Sequence, residues 1–86
     1  MMTKLEQKLI ELGYKQYSYN GYNKKFNFGI FIYIAIINNG KIYSWVKESP
    51  LYMFDTQQQI DNLQQAFNRM NRDLEILKEL ENERSV

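Results

Sequence analysis

The sequence predicts an α+β fold, in which a short N-terminal helix, a three-stranded antiparallel β-meander and a long C-terminal helix follow one another. Three features predict it: a capped run of leucines at the start, a β-prone centre with two Asn-Gly pairs, and a final helical periodicity without glycine or proline. The chain has 86 residues and is 44% hydrophobic, which suits one domain with its own core. We therefore expect a single domain over residues 1–86.

The first element is a helix, expected over about residues 4–12. Thr3 and Glu6 have the spacing of a capping box, in which each side chain can bond a backbone N–H that the first turn leaves free. The leucines that follow recur at spacings of three and four, so one side of the helix is apolar. Gly13 is suited to the left-handed conformation that ends helices, and the helix should stop before it.

The middle of the chain, about residues 14–48, is expected to form the sheet. Tyrosines alternate with polar residues up to Asn20 and Gly21, a pair that suits a two-residue hairpin turn. Residues 26–37 are the most β-prone stretch, because β-branched and aromatic side chains lose less freedom on a pleated surface than on a helix. Gly29 inside this stretch would mark a bulge, which exchanges the faces of the strand beyond it.

A second turn, at Asn39 and Gly40, leads to a third strand over about residues 42–46. Both faces of the central strand are apolar, so it is either covered on both sides or exposes an aromatic patch to a partner. Residues 51–54 are an apolar connection that could add a fourth, edge strand. A two-residue turn fixes the register, and it predicts the opposite pairs Ile36 with Tyr43, Ile34 with Trp45, and Ile32 with Lys47.

A long second helix is expected over about residues 57–82, with Asp55 and Thr56 as candidate N-caps. Its apolar residues alternate at spacings of three and four from Ile60 onward. At about 1.5 Å per residue this helix is roughly 38 Å long, more than a small three-stranded sheet can cover. The uncovered part predicts a homodimer through the helix. The expected dimer interface consists of Phe67, Met70, Leu74 and Leu77.

The residue types argue against catalysis. The chain has no cysteine and no histidine, which removes disulfides, the usual zinc ligands and the usual general base. No glycine-rich phosphate loop and no nucleophile paired with a base are found, so we expect no enzyme activity, no metal and no cofactor. No stretch reaches the ~20 apolar residues of a membrane span, and the start lacks a signal pattern, so we expect a cytoplasmic protein.

Charge is unevenly distributed along the chain, although the net charge is only +1. Residues 15–47 carry five lysines and no acid, whereas residues 48–86 have a net charge of −4. Such a chain can present a basic surface to an anionic partner and an acidic surface to a basic one. The acidic side of the long helix is the candidate surface for a protein partner, where carboxylates would mimic phosphates. Its residues are Asp73, Glu75, Glu79 and Glu83.

A second candidate surface combines tyrosines and lysines around the first hairpin. Bases of single-stranded nucleic acid stack on exposed aromatic rings, while lysines contact the phosphates. Nucleic-acid binding at this hairpin is therefore the alternative to protein binding, and plain sheet packing is a third explanation of the same tyrosines. The candidate nucleic-acid-binding residues are Tyr17, Tyr19, Tyr22, Lys24 and Lys25.

Three features of composition and layout stand out: isoleucine, asparagine, lysine and tyrosine are abundant, ELGY at residues 11–14 ends a leucine helix, and FDTQQQIDNLQQAF at residues 54–67 begins the long one. In these features the chain resembles small phage and prophage proteins of low-GC Gram-positive bacteria. The resemblance implies a non-enzymatic accessory protein that docks on a host protein and inhibits it. Anti-CRISPR proteins are one group of such inhibitors. The partner would be a nucleic-acid-handling or defence protein. A nucleic-acid-binding module and a purely structural homodimer are the alternatives.

Overall fold

The computed structural model of the chain describes residues 3–27, 29–37, 40–48 and 56–84. Its strands form one antiparallel sheet in chain order, and α2 packs across one face of that sheet. The α+β class and both predicted helices are confirmed, whereas the sheet has four strands within the described residues rather than three. The elements are α1 (Lys4–Glu11), β1 (Lys15–Gln16), β2 (Gly21–Asn27), β3 (Ile30–Ile36), β4 (Ile42–Glu48) and α2 (Thr56–Arg84).

The fourth strand arises because the β-prone stretch forms a hairpin instead of one strand. Gly29 lies in the turn between β2 and β3 with φ 82°, a left-handed conformation that a residue with a Cβ rarely adopts. Pairing passes from Lys25 opposite Phe31 to Asn27 opposite Ile30, so the bulge falls at residue 26 and not at the glycine. The predicted edge strand at residues 51–54 and the predicted cap at Asp55 lie outside the described residues.

The register between β3 and β4 differs from the prediction by one residue. Ile37 N–H donates to the Lys41 carbonyl at 3.0 Å, which leaves three residues in the turn instead of two. Gly40 N–H closes this turn on the Ile37 carbonyl at 2.8 Å. A shift of one residue moves Tyr43 and Trp45 to the other face of the sheet. The observed opposite pairs are Ile36 with Ile42, Ile34 with Ser44, and Ile32 with Val46.

Helix α1 is capped at both ends, as its sequence predicts. The Thr3 hydroxyl oxygen accepts the Glu6 N–H at 3.1 Å, which is half of the predicted capping box. At the other end Gly13 has φ 97°, and the N–H of Tyr14 donates to the carbonyl of Leu9 at 3.0 Å. This Schellman arrangement turns the chain sharply back and places Tyr14 in the core.

Helix α2 buries a stripe that includes two polar residues. Buried positions recur every three or four residues, as expected for a helix that packs on one side. The predicted stripe is wrong in part, because Ile60 and Phe67 are exposed, at 53% and 42%. Their place in the buried stripe is taken by Asn62 and Asp73. Asn62 accepts a hydrogen bond from Asn27 at 3.5 Å. The buried stripe consists of Asn62, Ala66, Met70, Asp73 and Leu77.

The predicted dimer interface is largely used within the chain. Met70 and Leu77 belong to the core cluster with the leucines of α1 and the isoleucines of β3, so the expectation that they await a second chain is wrong. Leu74 is half-buried and packs against the same cluster, and only Phe67 of the predicted set is exposed. Homodimerisation itself stays a prediction. None of the described helices is long and apolar enough to span a membrane.

Candidate nucleic-acid interface

The face of the sheet opposite α2 carries aromatic rings and lysines. Side chains alternate between the two faces along each strand, and residues directly opposite each other in neighbouring strands lie on the same face. Three of its rings remain well exposed to solvent: Tyr17 at 51%, Tyr43 at 52% and Trp45 at 40%. We call this surface the aromatic–lysine face, and it consists of Lys15, Tyr17, Lys25, Phe31, Tyr33, Tyr43, Trp45 and Lys47.

Two rows of paired residues cross this face, one with a lysine at both ends and the other with a lysine at one end. One row places Phe31 of β3 between Lys25 of β2 and Lys47 of β4. The next row runs from Lys15 of β1 through an asparagine of β2 to Tyr33, and it ends at a tryptophan of β4. Each row therefore combines an aromatic ring with positive charge at an edge of the sheet, a combination suited to single-stranded nucleic acids.

The rings form a continuous ladder across the strands. Tyr33 stacks on Trp45 with centroids 5.2 Å apart and planes only 6° from parallel. On its other side Tyr33 meets the ring of Tyr17 edge-on, with centroids 5.5 Å apart and planes at 84°. Both arrangements are favoured by the charge distribution of aromatic rings. The ladder holds the three side chains in place before any ligand arrives, which lowers the entropy lost on binding.

A missing side chain makes room for the first ring of this ladder. Gly21 begins β2 directly under Tyr17, and a Cβ added there would lie 2.8 Å from a ring carbon of that tyrosine. It would also lie 2.6 Å from the Ser18 hydroxyl. Gly21 faces the small side chain of Ala35 across the sheet. The position of Tyr17 therefore depends on a glycine whose role the sequence pattern of the hairpin does not reveal.

The electrostatics of the aromatic–lysine face are uniformly positive. No described residue of this face is acidic, and Lys15, Lys25 and Lys47 are all exposed. None of these three lysines makes an ion pair with a described residue. Glu48, the nearest acid in the sequence, accepts a hydrogen bond from Gln59 of α2 and so is held toward the helix side. The lysine charges are therefore available to an anionic ligand.

The structure separates the residues predicted to bind nucleic acid. Tyr17 and Lys25 lie on the aromatic–lysine face, as required. Tyr22 is buried in the core, so its predicted role in stacking is wrong. Lys24 also points inward, where its ammonium bonds the Asp73 carboxylate, so its expected contact with phosphate is wrong. Tyr19 is highly exposed but lines a different cleft, of about 430 Å³, between α1 and the hairpin ends.

Lys24 is held in a buried network with Asp73 and Tyr14. Its ammonium donates to the Asp73 carboxylate at 2.7 Å and to the Leu12 carbonyl at 3.0 Å. The same ammonium lies 4.4 Å from the centre of the Tyr14 ring, a cation–π contact. Tyr14 O–H also donates to the Asp73 carboxylate, at 2.8 Å. The network joins the end of α1, strand β2 and helix α2.

Burial raises the pKa of the Tyr14 hydroxyl, because an ionised phenol would be poorly solvated in the core. The hydrogen bond to Asp73 and the charge of that carboxylate raise the pKa further, while Arg69 acts in the opposite direction. The hydroxyl therefore stays protonated and serves as a donor to the carboxylate. The arrangement stabilises the Asp73 charge in the core.

The predicted acidic surface is correspondingly altered. Asp73 is only 1% exposed, so its assignment to a partner-binding surface is wrong. Its burial is possible because Lys24 and Tyr14 satisfy the charge, and both lie far away in the sequence. Glu75 and Glu79 are exposed on α2, as predicted. The side chain of Glu83 lies outside the described part of the structure.

Sequence reasoning missed most of the aromatic–lysine face. Tyr33 and Phe31 alternate with the buried isoleucines of β3, a signal that was visible. Tyr43 and Trp45 were assigned to the opposite face because the turn before β4 has one residue more than expected. Lys47 was predicted opposite Ile32 by the same error of one residue and lies opposite Phe31, and Lys15 was not among the predicted binding residues. The missed residues all have odd numbers, and in the observed register odd-numbered residues of neighbouring strands lie opposite each other on this face.

Comparisons with known proteins give no relative from which a role could be carried over. No protein-family model, no curated protein and no solved structure matches this chain significantly. Within the described ranges, no group of three or more acidic side chains is arranged to hold a metal ion. The resemblance to phage proteins stays a prediction, and the function has to be argued from the surface itself.

Proposed function

We propose that this protein binds single-stranded nucleic acid on the aromatic–lysine face. The observation that carries the proposal is the ladder of Tyr17, Tyr33 and Trp45 beside three lysines that form no ion pair with a described residue, on a face with no described acid. Bases stack on such rings with little regard for sequence, and the lysines neutralise the phosphates. The bases of a duplex are already stacked on each other, so single strands are the better ligands.

The lysines favour nucleic acid over a protein as the ligand. Aromatic residues are enriched in protein–protein interfaces as well, but lysine is depleted there. On this face Lys25 and Lys47 flank the central Phe31 directly, so a protein partner would have to desolvate both ammonium groups. A phosphodiester backbone would instead gain from both charges through release of its counterions.

Docking on a host protein through the acidic helix is less well supported. That surface loses Asp73 to the core, and the remaining described acids, Glu75 and Glu79, occupy a few positions on a solvated helix. A phage origin is compatible with either role. A cytoplasmic location, which we also propose, would give the protein access to single-stranded nucleic acid.

The chain carries its own reporter for this proposal, because its one tryptophan is Trp45. Titration with unlabelled oligothymidylate or oligouridylate of about 12 nucleotides, within the usual range of site sizes, should quench the Trp45 fluorescence to saturation. A duplex of the same length should bind more weakly. The affinity should fall as salt rises, with a slope of about −0.7 per phosphate contacted. Absence of quenching and of any binding at low salt would refute the proposal.

Paired variants separate stacking from charge. Trp45→Ala should weaken binding of a fluorescein-labelled oligomer by about 5- to 150-fold, the usual effect of removing one stacking ring. Phe67→Ala, at an exposed ring on α2, is the matched control and should bind like the parent. Lys25→Gln with Lys47→Gln should make the salt dependence shallower by roughly 1.4, or two phosphates. Lys4→Gln with Lys78→Gln removes equal charge elsewhere on exposed helix positions and should not.

A further inference from the structure

A second basic feature lies on the helix side of the sheet, next to the edge of β2. A groove of about 350 Å³ opens between Phe26 of β2 and one side of α2. The helix lines it with two amides and two guanidinium groups, at positions three or four residues apart that share one helix face. The lining residues are Phe26, Gln65, Asn68, Arg69 and Arg72.

Among the described residues, neither guanidinium group in this groove has a counter-ion. Neither Arg69 nor Arg72 makes a salt bridge with a described residue. Asp73, the acid next along α2, is buried and its charge is matched by Lys24. Glu75 is three residues beyond Arg72 and exposed, yet forms no ion pair with it. The groove therefore presents two positive charges and several N–H donors that no described acid neutralises.

The chemistry of these groups matches a phosphate. A guanidinium offers parallel N–H donors that fit phosphate oxygens in a bidentate manner, and side-chain amides donate to the same oxygens. Arg69 and Arg72 occupy adjacent turns of one helix and can contact one phosphate or two successive ones. The Phe26 ring provides an apolar wall against which a sugar or base can pack.

The groove is close to the aromatic–lysine face although it lies on the other side of the sheet. Strand β1 pairs only with Tyr22 and Asn23, so among the described residues no strand covers β2 from Lys24 onward. Lys25 and Phe26 are consecutive there, and they point to the aromatic–lysine face and to the groove respectively. A nucleic-acid strand that leaves the aromatic–lysine face at Lys25 therefore has to cross only the edge of β2 before it reaches the arginines.

We propose that this groove binds the phosphate backbone of the strand whose bases stack on the aromatic–lysine face, so that the strand wraps over the open edge of β2. This inference rests on the proposed function, which it deepens by assigning the phosphate contacts. It also predicts that a long oligomer, which reaches both surfaces, binds more tightly and with a steeper salt dependence than one that covers the aromatic–lysine face alone.

The test compares Arg69→Gln with Arg72→Gln, made together, against the parent and against Lys4→Gln with Lys78→Gln, which has the same net charge. For an oligothymidylate of about 12 nucleotides, the arginine variant should lose roughly 1.4 from its salt slope, or two phosphates, and the lysine variant should not. For one of about 4 nucleotides, both variants should bind like the parent. An equal loss in both variants, or no loss with the long oligomer, would overturn the inference.

A separate arm keeps the groove testable if no oligonucleotide binds. Inorganic pyrophosphate is titrated into isotopically labelled protein, and the side-chain Nε–Hε signals of the arginines are followed by NMR against sodium chloride at matched ionic strength. Saturable shifts at Arg69 and Arg72 with pyrophosphate, absent with chloride, would show that the groove binds phosphate groups from a source other than nucleic acid. The proposed function would then fail. If neither pyrophosphate nor the oligonucleotide shifts these signals, the groove is not a phosphate site.

Discussion

The two faces of the sheet use tyrosine and lysine in opposite ways. On the side of the sheet that faces α2, the buried Tyr14 and the half-buried Lys24 both bond Asp73 and hold helix α2 to the sheet. On the outer face, Lys25 is exposed and Tyr33 belongs to a ladder of rings in contact with solvent. Lys24 and Lys25 are neighbours in the sequence, and only the alternation of side chains along a strand separates them. The role of each residue therefore follows from its face and not from its type.

Substitution of Asp73 should give the largest difference in the free energy of unfolding between a buried and an exposed position. Asp73→Ala leaves the ammonium of Lys24 in the core without its carboxylate, and we expect a loss of about 3–5 kcal/mol in the free energy of unfolding. Glu75→Ala, two residues away on the exposed side of α2, should change it by less than about 0.5 kcal/mol. Urea unfolding followed by circular dichroism measures both. Similar small losses would show that the network contributes little.

The neighbouring lysines provide the most direct comparison. Lys24→Met leaves the buried Asp73 carboxylate with the Tyr14 hydroxyl as its remaining partner, and the expected loss is at least about 3 kcal/mol. Lys25→Met changes an exposed side chain, and its effect on the free energy of unfolding should stay within about 0.5 kcal/mol. The same urea titrations apply. Equal effects of the two substitutions would contradict the assignment of the lysines to opposite faces.

Alkaline pH should also distinguish an inner tyrosine from an outer one. The pKa of Tyr14 is raised in the folded state, so its contribution to stability is complete below the unfolded value of about 10 and is lost as the pH rises above it. In that range the free energy of unfolding should fall by up to about 1.4 kcal/mol per pH unit from this group. Tyr14→Phe should remove that part of the slope. Tyr17→Phe is the control, and an unchanged slope in Tyr14→Phe would disprove the linkage.

The smallest stability effect is expected on the outer face. Trp45→Ala removes one ring of the ladder but leaves the core intact, and cross-strand aromatic pairs contribute roughly 0.2–1 kcal/mol. The free energy of unfolding should therefore fall by no more than about 1 kcal/mol, although binding of nucleic acid should be strongly reduced. A loss as large as that of Asp73→Ala would mean that the ladder serves stability and not a ligand.

The helices were predictable because their signals are local. The capping threonine, the terminating glycine and the spacing of apolar residues all act within about one turn, so their sequence order is enough. Helix α1 accordingly ends within one residue of its predicted boundary, and α2 within two. The buried face of α2 was not predictable in the same way. Asn62 and Asp73 read as surface residues until their partners on β2 are known.

The candidate site was only partly predictable for a related reason. Tyr17 and Lys25 were recognised because aromatic and basic residues alternate around the first hairpin. Trp45 and Tyr43 were placed on the wrong face by a single residue in the turn before β4. Because side chains alternate with a period of two, an error of one residue exchanges every side chain of a strand between the faces. The β-prone stretches were thus foreseeable, whereas the number of strands and the surface that they build were not.

The sequence by itself determined the class of the fold, the positions of both helices, and the excess of lysine over acid in the sheet region. Only the tertiary structure decided which tyrosines and lysines reach solvent, and that an aspartate on a helix is buried. Composition and local periodicity act over a few residues, whereas Lys24 and Asp73 meet across a separation of 49 residues. Burial of a charge depends on that distant partner, because without it the desolvation cost would exclude the charge from the core.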